Sequence, residues 1–506
     1  MKWKLGRLVL CLSRFRGSIY RHFQITQTPG GFMDYLWWHV PILTAPMLIA
    51  FIATVHVFIS HYAVGGGIFL AAETSWAHKT ENRQYLDYLK SHAKFFVLLT
   101  VVFGAITGVG IWWVIGLASP LATEMLIRTF VFGWAAEWVF FVVELTAAYL
   151  FLSLWDRVTP RDHCTLGWLY AGASVGTLIL ITGITAFMLD AGKWPEATQA
   201  GMNGSAFWLG FFNPQFLPQC VARIGVALTM ASTWVLFHAS IFVKSEELKF
   251  LVVRRTARYA AAGVLISAAG ILWAGVILPE AAKLSLMRAA ALNVIFGAGT
   301  IAAGFLLFQL FILTARPQWL TPAAGIAVLC AAMGILTAGE FIREAVRKPF
   351  ILPECIYGNQ VHVSEVEMLR QNGLLESGVW TKPYVAEKFP HLVDAQTGKL
   401  ILEQARPEDE KALGEVIFMH HCGGCHAQEF GYSGLGFLST TSEKGEIAEM
   451  LPRLNSQIYS MPPWCGNAKE AELLAVYLES IAKPHPFLNP EILTPETQKG
   501  AANAAD

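Results

Sequence analysis

The chain has 506 residues, 54% hydrophobic and only 15% charged, with a formal net charge of zero and a mean hydropathy of +0.46. This composition excludes a wholly soluble protein and assigns most of the length to a bilayer. The balanced charge offers no basic field for nucleic acid, no Gly-rich phosphate loop is present, and eight cysteines are few for a disulfide scaffold of this size.

Residues 1–34 read as an N-terminal extension or targeting segment: Lys2, Lys4, Arg7, Arg14, Arg16 and Arg21 surround an apolar run, Leu8 to Leu12, that is too short to span. Apolar stretches of spanning length then run over Ile42 to Ala72, Phe95 to Leu117, Thr129 to Leu152, Trp168 to Leu189, Gln219 to Val243, Arg258 to Leu278, Ala291 to Leu313 and Thr321 to Phe341. Eight spans put both ends of the membrane region on one side. Lys79, Arg83, Lys90 and Lys94 follow the first span, Arg157 and Arg161 the third, and Lys244, Lys249, Arg254 and Arg255 the fifth. The positive-inside rule makes these loops cytoplasmic and the C-terminal region external.

Ionisable residues inside the spans are functional candidates, because each costs several kcal/mol in hydrocarbon unless paired, hydrated or bound. His56 and His61 lie in the first span, Glu137 and Glu144 in the third, His238 late in the fifth, and Glu340 and Glu344 at the outer end of the eighth. Glu137 and Glu144 share a helix face, as do Glu340 and Glu344. Glu340 and His238 also suit helix-end groups that meet water.

The external region has a polar segment, 351–407, read as a linker, then a domain over 408–485 and a tail, 486–506. Within the domain, Cys422-Gly423-Gly424-Cys425-His426 is a C-x-x-C-H run, in which two thioethers and an axial histidine hold a c-type haem. Met461, on the stiff Met-Pro-Pro-Trp segment, is the candidate for the opposite face of the iron, and a His–Met pair gives a centre of raised potential. A zinc site would need a second ligand pair at motif spacing, and none follows. His420 and His421 lie on the attachment side of the ring. Cys355 and Cys465 are the external cysteines that the motif leaves over. Either they bridge and pin the Met461 edge over the membrane region, or they remain two separate thiols.

The membrane half resembles subunit I of the cytochrome bd oxidase family. The likeness runs through Ala53-Thr54-Val55-His56 to Glu73-Thr74, then Ile106-Thr107-Gly108, Ala135-Ala136-Glu137 through Glu144, Trp155-Asp156-Arg157, and Glu344-Ala345-Val346-Arg347-Lys348-Pro349-Phe350. It covers residues 35–350. The resemblance implies His56 as a ligand of one high-spin haem, Glu344 as a ligand of a second, and Glu137 and Glu144 in the haem pocket or proton path. It also implies haem b, haem d or both, and a second membrane subunit of the bd type. The family's low-spin haem ligands are not evident: their positions align with Ala222 and Ile295. The external loop that builds the family's quinol site is reduced to Pro279–Ala290, and Glu340 stands where the family has a tryptophan. The external domain is similar to a small class I cytochrome c, with a first helix over Glu408–Met419 and a last over Ala471–Ile481.

The expected architecture is all-α: a polytopic bundle of eight transmembrane helices followed by a small periplasmic cytochrome c domain, in a bacterial inner membrane. Three functions fit the residues. The first is a bd-type oxidase reducing dioxygen with electrons from a periplasmic cytochrome c or other redox protein. The second is a quinol dehydrogenase, using a quinone and feeding haem c, with His61 and His238 as further candidate ligands. The third is a non-catalytic electron conduit or sensor.

Overall fold

The computed structural model describes residues 38–482, apart from 200, 202, 289, 379 and 439–443, so the N-terminal extension and the tail lie outside the described residues. Among the described residues eight helices are long and apolar enough to cross a membrane: α1 (Thr44–Lys79), α2 (Arg83–Ala118), α3 (Val131–Ser153), α4 (Pro160–Phe187), α5 (Phe216–Phe242), α6 (Glu246–Val276), α7 (Ala290–Ala315) and α8 (Pro322–Val346). All eight expected spans are present. Helices α1 and α2 run further toward their joining loop than hydropathy delimits. The added part of α2 is amphipathic instead of apolar: Tyr85, Leu86, Tyr88, Leu89, His92, Ala93 and Phe96 form one buried stripe. Asn82 caps it by accepting the backbone N–H of Tyr85 at 3.0 Å. Midway, Leu98–Gly104 forms a π-helical turn that re-aims the rest of the helix.

Lipid supplies no hydrophobic drive between helices, so close packing needs small residues. Helix α1 has Gly65, Gly66 and Gly67 in a row. A Cβ on Gly65 would lie 1.9 Å from the Ala227 carbonyl oxygen of α5, and one on Gly67 would lie 2.2 Å from the Tyr170 ring of α4. The joining-loop end of α1 is locked by charge. Buried Glu73 accepts from both Arg255 nitrogens Nε and Nη2, from Tyr85 Oη at 2.9 Å and from Tyr259 Oη at 2.7 Å. The Arg255 guanidinium also lies 3.5 Å over the Trp76 ring, so every lone-pair direction of a carboxylate in hydrocarbon is satisfied.

After α8 the chain does not run free. Strands β1 (Phe350–Leu352) and β2 (Ile356–Tyr357) pair antiparallel, and Leu352 and Ile356 bury against Ile184, Phe187 and Phe216 of α4 and α5. The expected linker is instead folded: Val361, Leu369, Leu374, Leu375, Val385, Leu392 and Leu402 share one core with the two helices of the C-terminal domain, α9 (Pro407–His421) and α10 (Ala468–Ile481). Leu369, Leu374, Leu375 and Val385 sit on helices of four to eight residues, and Leu392 and Leu402 on three-residue 3-10 turns, elements so short that a hydropathy window averages them to polar. Tyr477 and Leu478 of α10 pack inward, as expected.

Glu470 ties the two segments together. Its fully buried carboxylate accepts the N–H groups of Leu374 at 2.8 Å, Leu375 at 2.7 Å and Asn467 at 2.9 Å. Replacing Glu470 with Ala strands these donors, and should lower the stability of the external domain by about 3 kcal/mol. Denaturant unfolding of the full-length protein, followed by tryptophan fluorescence, measures this; an unchanged midpoint would refute the role.

Candidate functional site

His56 lies on α1 opposite the re-aimed half of α2. Its Nδ1 is 3.1 Å from the Thr107 hydroxyl, which spends its own proton on the Phe103 carbonyl at 2.9 Å. Thr107 therefore accepts, Nδ1 carries the ring proton, and Nε2 keeps its lone pair: the tautomer and orientation that a metal-binding imidazole requires. A Cβ on Gly108 would lie 3.2 Å from His56 Cε1, so the Thr-Gly pair both holds the ring and makes room for it. The donor set fits a haem ligand on α1.

Two turns along α1, Tyr170 Oη of α4 bonds to the Ala63 carbonyl at 3.1 Å and to Glu144 Oε1 at 3.2 Å. Glu144 and Glu137 are electrostatic neighbours on α3, as their seven-residue spacing predicts. Glu144 is thus joined to the helix that carries His56.

At the outer end of α8 two ion pairs follow one another, Glu340 with Arg343 at 2.9 Å and Glu344 with Arg347. Arg223 of α5 and His61 of α1 lie in the field of Glu340. This cluster links three helices. Arg223 and Arg343 were not singled out in the sequence; Arg223, alone among apolar neighbours in a span, is the signal that points to the cluster. His238 does not join this group, and His61 Nδ1 is satisfied by the Val57 carbonyl at 2.8 Å.

The attachment motif lies against this same end of the bundle. Cys422 caps α9. Cys425 lies in the electrostatic field of Glu344 and Lys348, and burial pushes its thiol above the usual range. A Cβ on Gly358, beyond β2, would be 3.6 Å from its sulfur. A cleft lined by Ala45, Glu344, Arg347, Asn359, Gln360 and Gly424 separates the motif from the membrane helices. Gln360 closes it from one side, accepting the N–H of Leu121 at 3.0 Å and donating to the Ala118 carbonyl at 3.3 Å. His426 Nδ1–H donates to the Ser433 carbonyl at 2.8 Å, which leaves Nε2 as the free donor, as at His56. Two free thiols three residues apart and an oriented imidazole fit the attachment side of a haem.

Met461 sits in a turn whose N–H bonds to the Ile458 carbonyl at 2.9 Å. The turn is anchored behind it: Trp464 is buried, its ring edge-on to His421 at 5.0 Å, and its carbonyl accepts from Arg370 Nε at 2.8 Å. His421 is further held by the Asn359 amide at 3.0 Å. The bridge considered between Cys355 and Cys465 is not formed. Both are free, and they belong to different apolar cores, Cys355 beside the membrane helices and Cys465 inside the external domain.

Ala222, where the resemblance would put a low-spin haem ligand, packs backbone to backbone on α6: a Cβ on Gly270 would lie 2.3 Å from its nitrogen. At residue 222, α5 is thus in backbone contact with α6, and its methyl side chain offers no donor atom to an iron.

A family model described as cytochrome bd terminal oxidase subunit I matches residues 45–310. No curated protein matches the chain. A solved structure titled as that of bd oxidase from Geobacillus thermodenitrificans is similar with a TM-score of 0.52 and 16% identity, covering 62% of this chain and 89% of that chain. At that identity the likeness is one of fold.

Two predictions follow from the donor sets. Met461→Ala should keep covalently attached haem but lose the methionine-to-ferric-iron charge-transfer band, since thioethers form independently of the distal ligand; a wild-type spectrum without the band would exclude Met461. His56→Ala and Glu344→Ala should each lower the content of non-covalent haem in the purified protein. Full content in both variants, counted by pyridine haemochrome, would remove both assignments.

Proposed function

The chain belongs to the cytochrome bd terminal oxidase subunit I family, and from that membership we propose that it reduces dioxygen with electrons received through a covalent haem on its own C-terminal domain. It is a multi-pass membrane subunit of a respiratory oxidoreductase. The observation that carries the finer reading is the position of Cys425 beside Glu344 and Lys348, at the mouth of the membrane half. Electrons delivered at the attachment motif would have only the cleft to cross before reaching α8.

Haem b or d in the membrane half would supply the centre that binds and reduces dioxygen, and haem c the entry for electrons. The chain's own part is to hold and to charge-balance these groups. His56, oriented by Thr107, and Glu344, backed by Arg347, are the proposed holding residues. Arg223 and Arg343 offset the carboxylate of Glu340, where an unpaired charge would be costly. Glu144, fixed by Tyr170, is a carboxyl able to take and release a proton as charge arrives.

The backbone contact at Ala222 and the short segment between α6 and α7 argue against quinol as the donor. Sidedness follows from the loop charges: the cationic loops face the cytoplasm, and the external domain faces the periplasm of an inner membrane, where a soluble cytochrome c or another redox protein reaches it. By its family the chain is expected to work with a second membrane subunit.

Oxygen uptake by the purified complex separates the donors. Reduced soluble cytochrome c should sustain uptake and quinol should not, and a Cys422→Ser, Cys425→Ser double variant should lose cytochrome-driven uptake while keeping its non-covalent haem. Quinol-driven uptake that survives the double variant would overturn the reading.

A further inference from the structure

Three carboxylates inside the spans are each paired with a cation: Glu73 with Arg255, Glu340 with Arg343 and Glu344 with Arg347. A guanidinium at that distance holds the carboxylate ionised. Among the described residues no ion pair includes Glu144. Its partner is a phenol: Oη of the buried Tyr170 lies 3.2 Å from Glu144 Oε1 and 3.1 Å from the Ala63 carbonyl oxygen. One hydroxyl of α4 thus stands between two acceptors, a side chain of α3 and the backbone of α1.

The backbone acceptor is within reach because residue 67 is glycine. In a helix the carbonyl of Ala63 accepts the N–H of Gly67 and keeps one lone pair. A side chain at position 67 would lean back over the turn that carries Ala63, and its Cβ would lie 2.2 Å from Cε1 and 2.5 Å from Cδ1 of the Tyr170 ring. Gly67 therefore opens the notch through which the phenol reaches the α1 backbone. Phe96 of α2 closes the notch edge-on, with the ring centroids 5.5 Å apart.

A strut between helices needs a single acceptor, and this hydroxyl has one proton for two. With Glu144 ionised, the phenol donates to Oε1 and the Ala63 oxygen keeps its helical bond. With Glu144 protonated, the acid O–H donates to Tyr170 Oη, and the phenol proton turns to the Ala63 oxygen. Each form leaves the carboxyl, the phenol and the carbonyl paired, as buried polar groups require.

We propose that Tyr170 is a positioning residue that works as a hydrogen-bond switch, allowing Glu144 to gain and lose a proton without stranding a buried polar group. This rests on the oxidase reading and names the device that serves its proton-exchanging carboxyl. The phenol keeps its own proton and only rotates it about the C–O bond. On uptake the carboxylate and one proton from water give the carboxylic acid; on release the reverse occurs, with dioxygen reduction as the consumer, and no electron moves in either step. The other titratable groups facing the pair are Glu137 of α3 and Tyr62 of α1, and the hydroxyls of Thr100 and Thr177 border it. Thr100 donates its proton to the Phe96 carbonyl at 2.9 Å, so toward the phenol it only accepts and does not compete with Glu144 for the lone pairs of Oη.

The test is infrared difference spectroscopy on the complete purified complex, recorded through a pH titration and on electrochemical reduction without dioxygen. It compares the wild type with Tyr170→Phe, whose ring still fills the Gly67 notch, and with Glu144→Gln. In the wild type a carboxylic acid C=O band and a tyrosine ring band, identified with isotope-labelled tyrosine, should rise and fall together. Tyr170→Phe should shift the acid band to higher wavenumber, because the protonated carboxyl has lost its acceptor. Glu144→Gln should remove both that acid band and the tyrosine band that tracks it, which keeps the test usable if Tyr170→Phe does not assemble. An acid band left at the wild-type position in Tyr170→Phe would overturn the switch. So would a wild type without the acid band, or an unaltered tyrosine band in Glu144→Gln. Oxygen uptake is measured separately: a wild type that consumes no oxygen would defeat the oxidase reading, and the titrated bands would still decide the switch.

Discussion

Everything in the membrane half hangs on how closely α1 can be approached. Helices in lipid gain little from burying apolar side chains, and α1 meets its neighbours through three consecutive glycines that admit backbone and ring directly. With Gly65 set on the Ala227 carbonyl, the depth of His56 relative to α5 and α8 is fixed by main-chain contact and not by flexible side chains. The same contact presents Tyr62 to α2 and the Ala63 carbonyl to Tyr170. One helix thereby carries groups from the candidate sites of the membrane half, at heights set by a single rise per residue.

The polar groups along α1 divide by what satisfies them. Toward the C-terminal domain, the carboxylates of α8 meet arginines, so that neither charge is left unpaired in a low-dielectric interior. At the opposite end, Glu73 is fully coordinated by Arg255 and two tyrosines. Between these, Tyr170 holds Glu144 and Tyr62 meets His92.

The spans were legible in the sequence because twenty or so apolar residues have few other uses, and the C-x-x-C-H run was legible because its chemistry is local. Thr107 beside His56 was recoverable only through resemblance: nothing in a threonine fifty-one residues away reports that it faces an imidazole, and the π-helical turn that brings it round has no signature in Leu98–Gly104. His92 was missed because it sits in an amphipathic stretch just outside the hydropathy window. His238 was noticed but had no visible partner, since the pairing is made by tertiary packing of α2 on α5. The segment 351–407 misled for the opposite reason. Its leucines are too thinly spread to register, yet all after Leu352 find a place in or against the core of the following domain.

That folding changes how the external domain is held. A flexible chain of this length would let its cargo wander over tens of Å, and a disulfide would then be a sensible restraint. A folded segment removes the need. Tyr432 donates its N–H to the Ile42 carbonyl at 2.7 Å at the start of α1, Tyr459 reaches the Ser285 carbonyl at 3.1 Å, and Gln360 spans to the end of α2. These contacts fall at three separate points around the rim of the bundle, so together they resist rotation as well as translation. Each contributes one or two neutral hydrogen bonds of modest net worth, and the apolar seat of β1 and β2 on α4 and α5 adds to them. The free thiols of Cys355 and Cys465, one in each core, are what such a noncovalent joint permits.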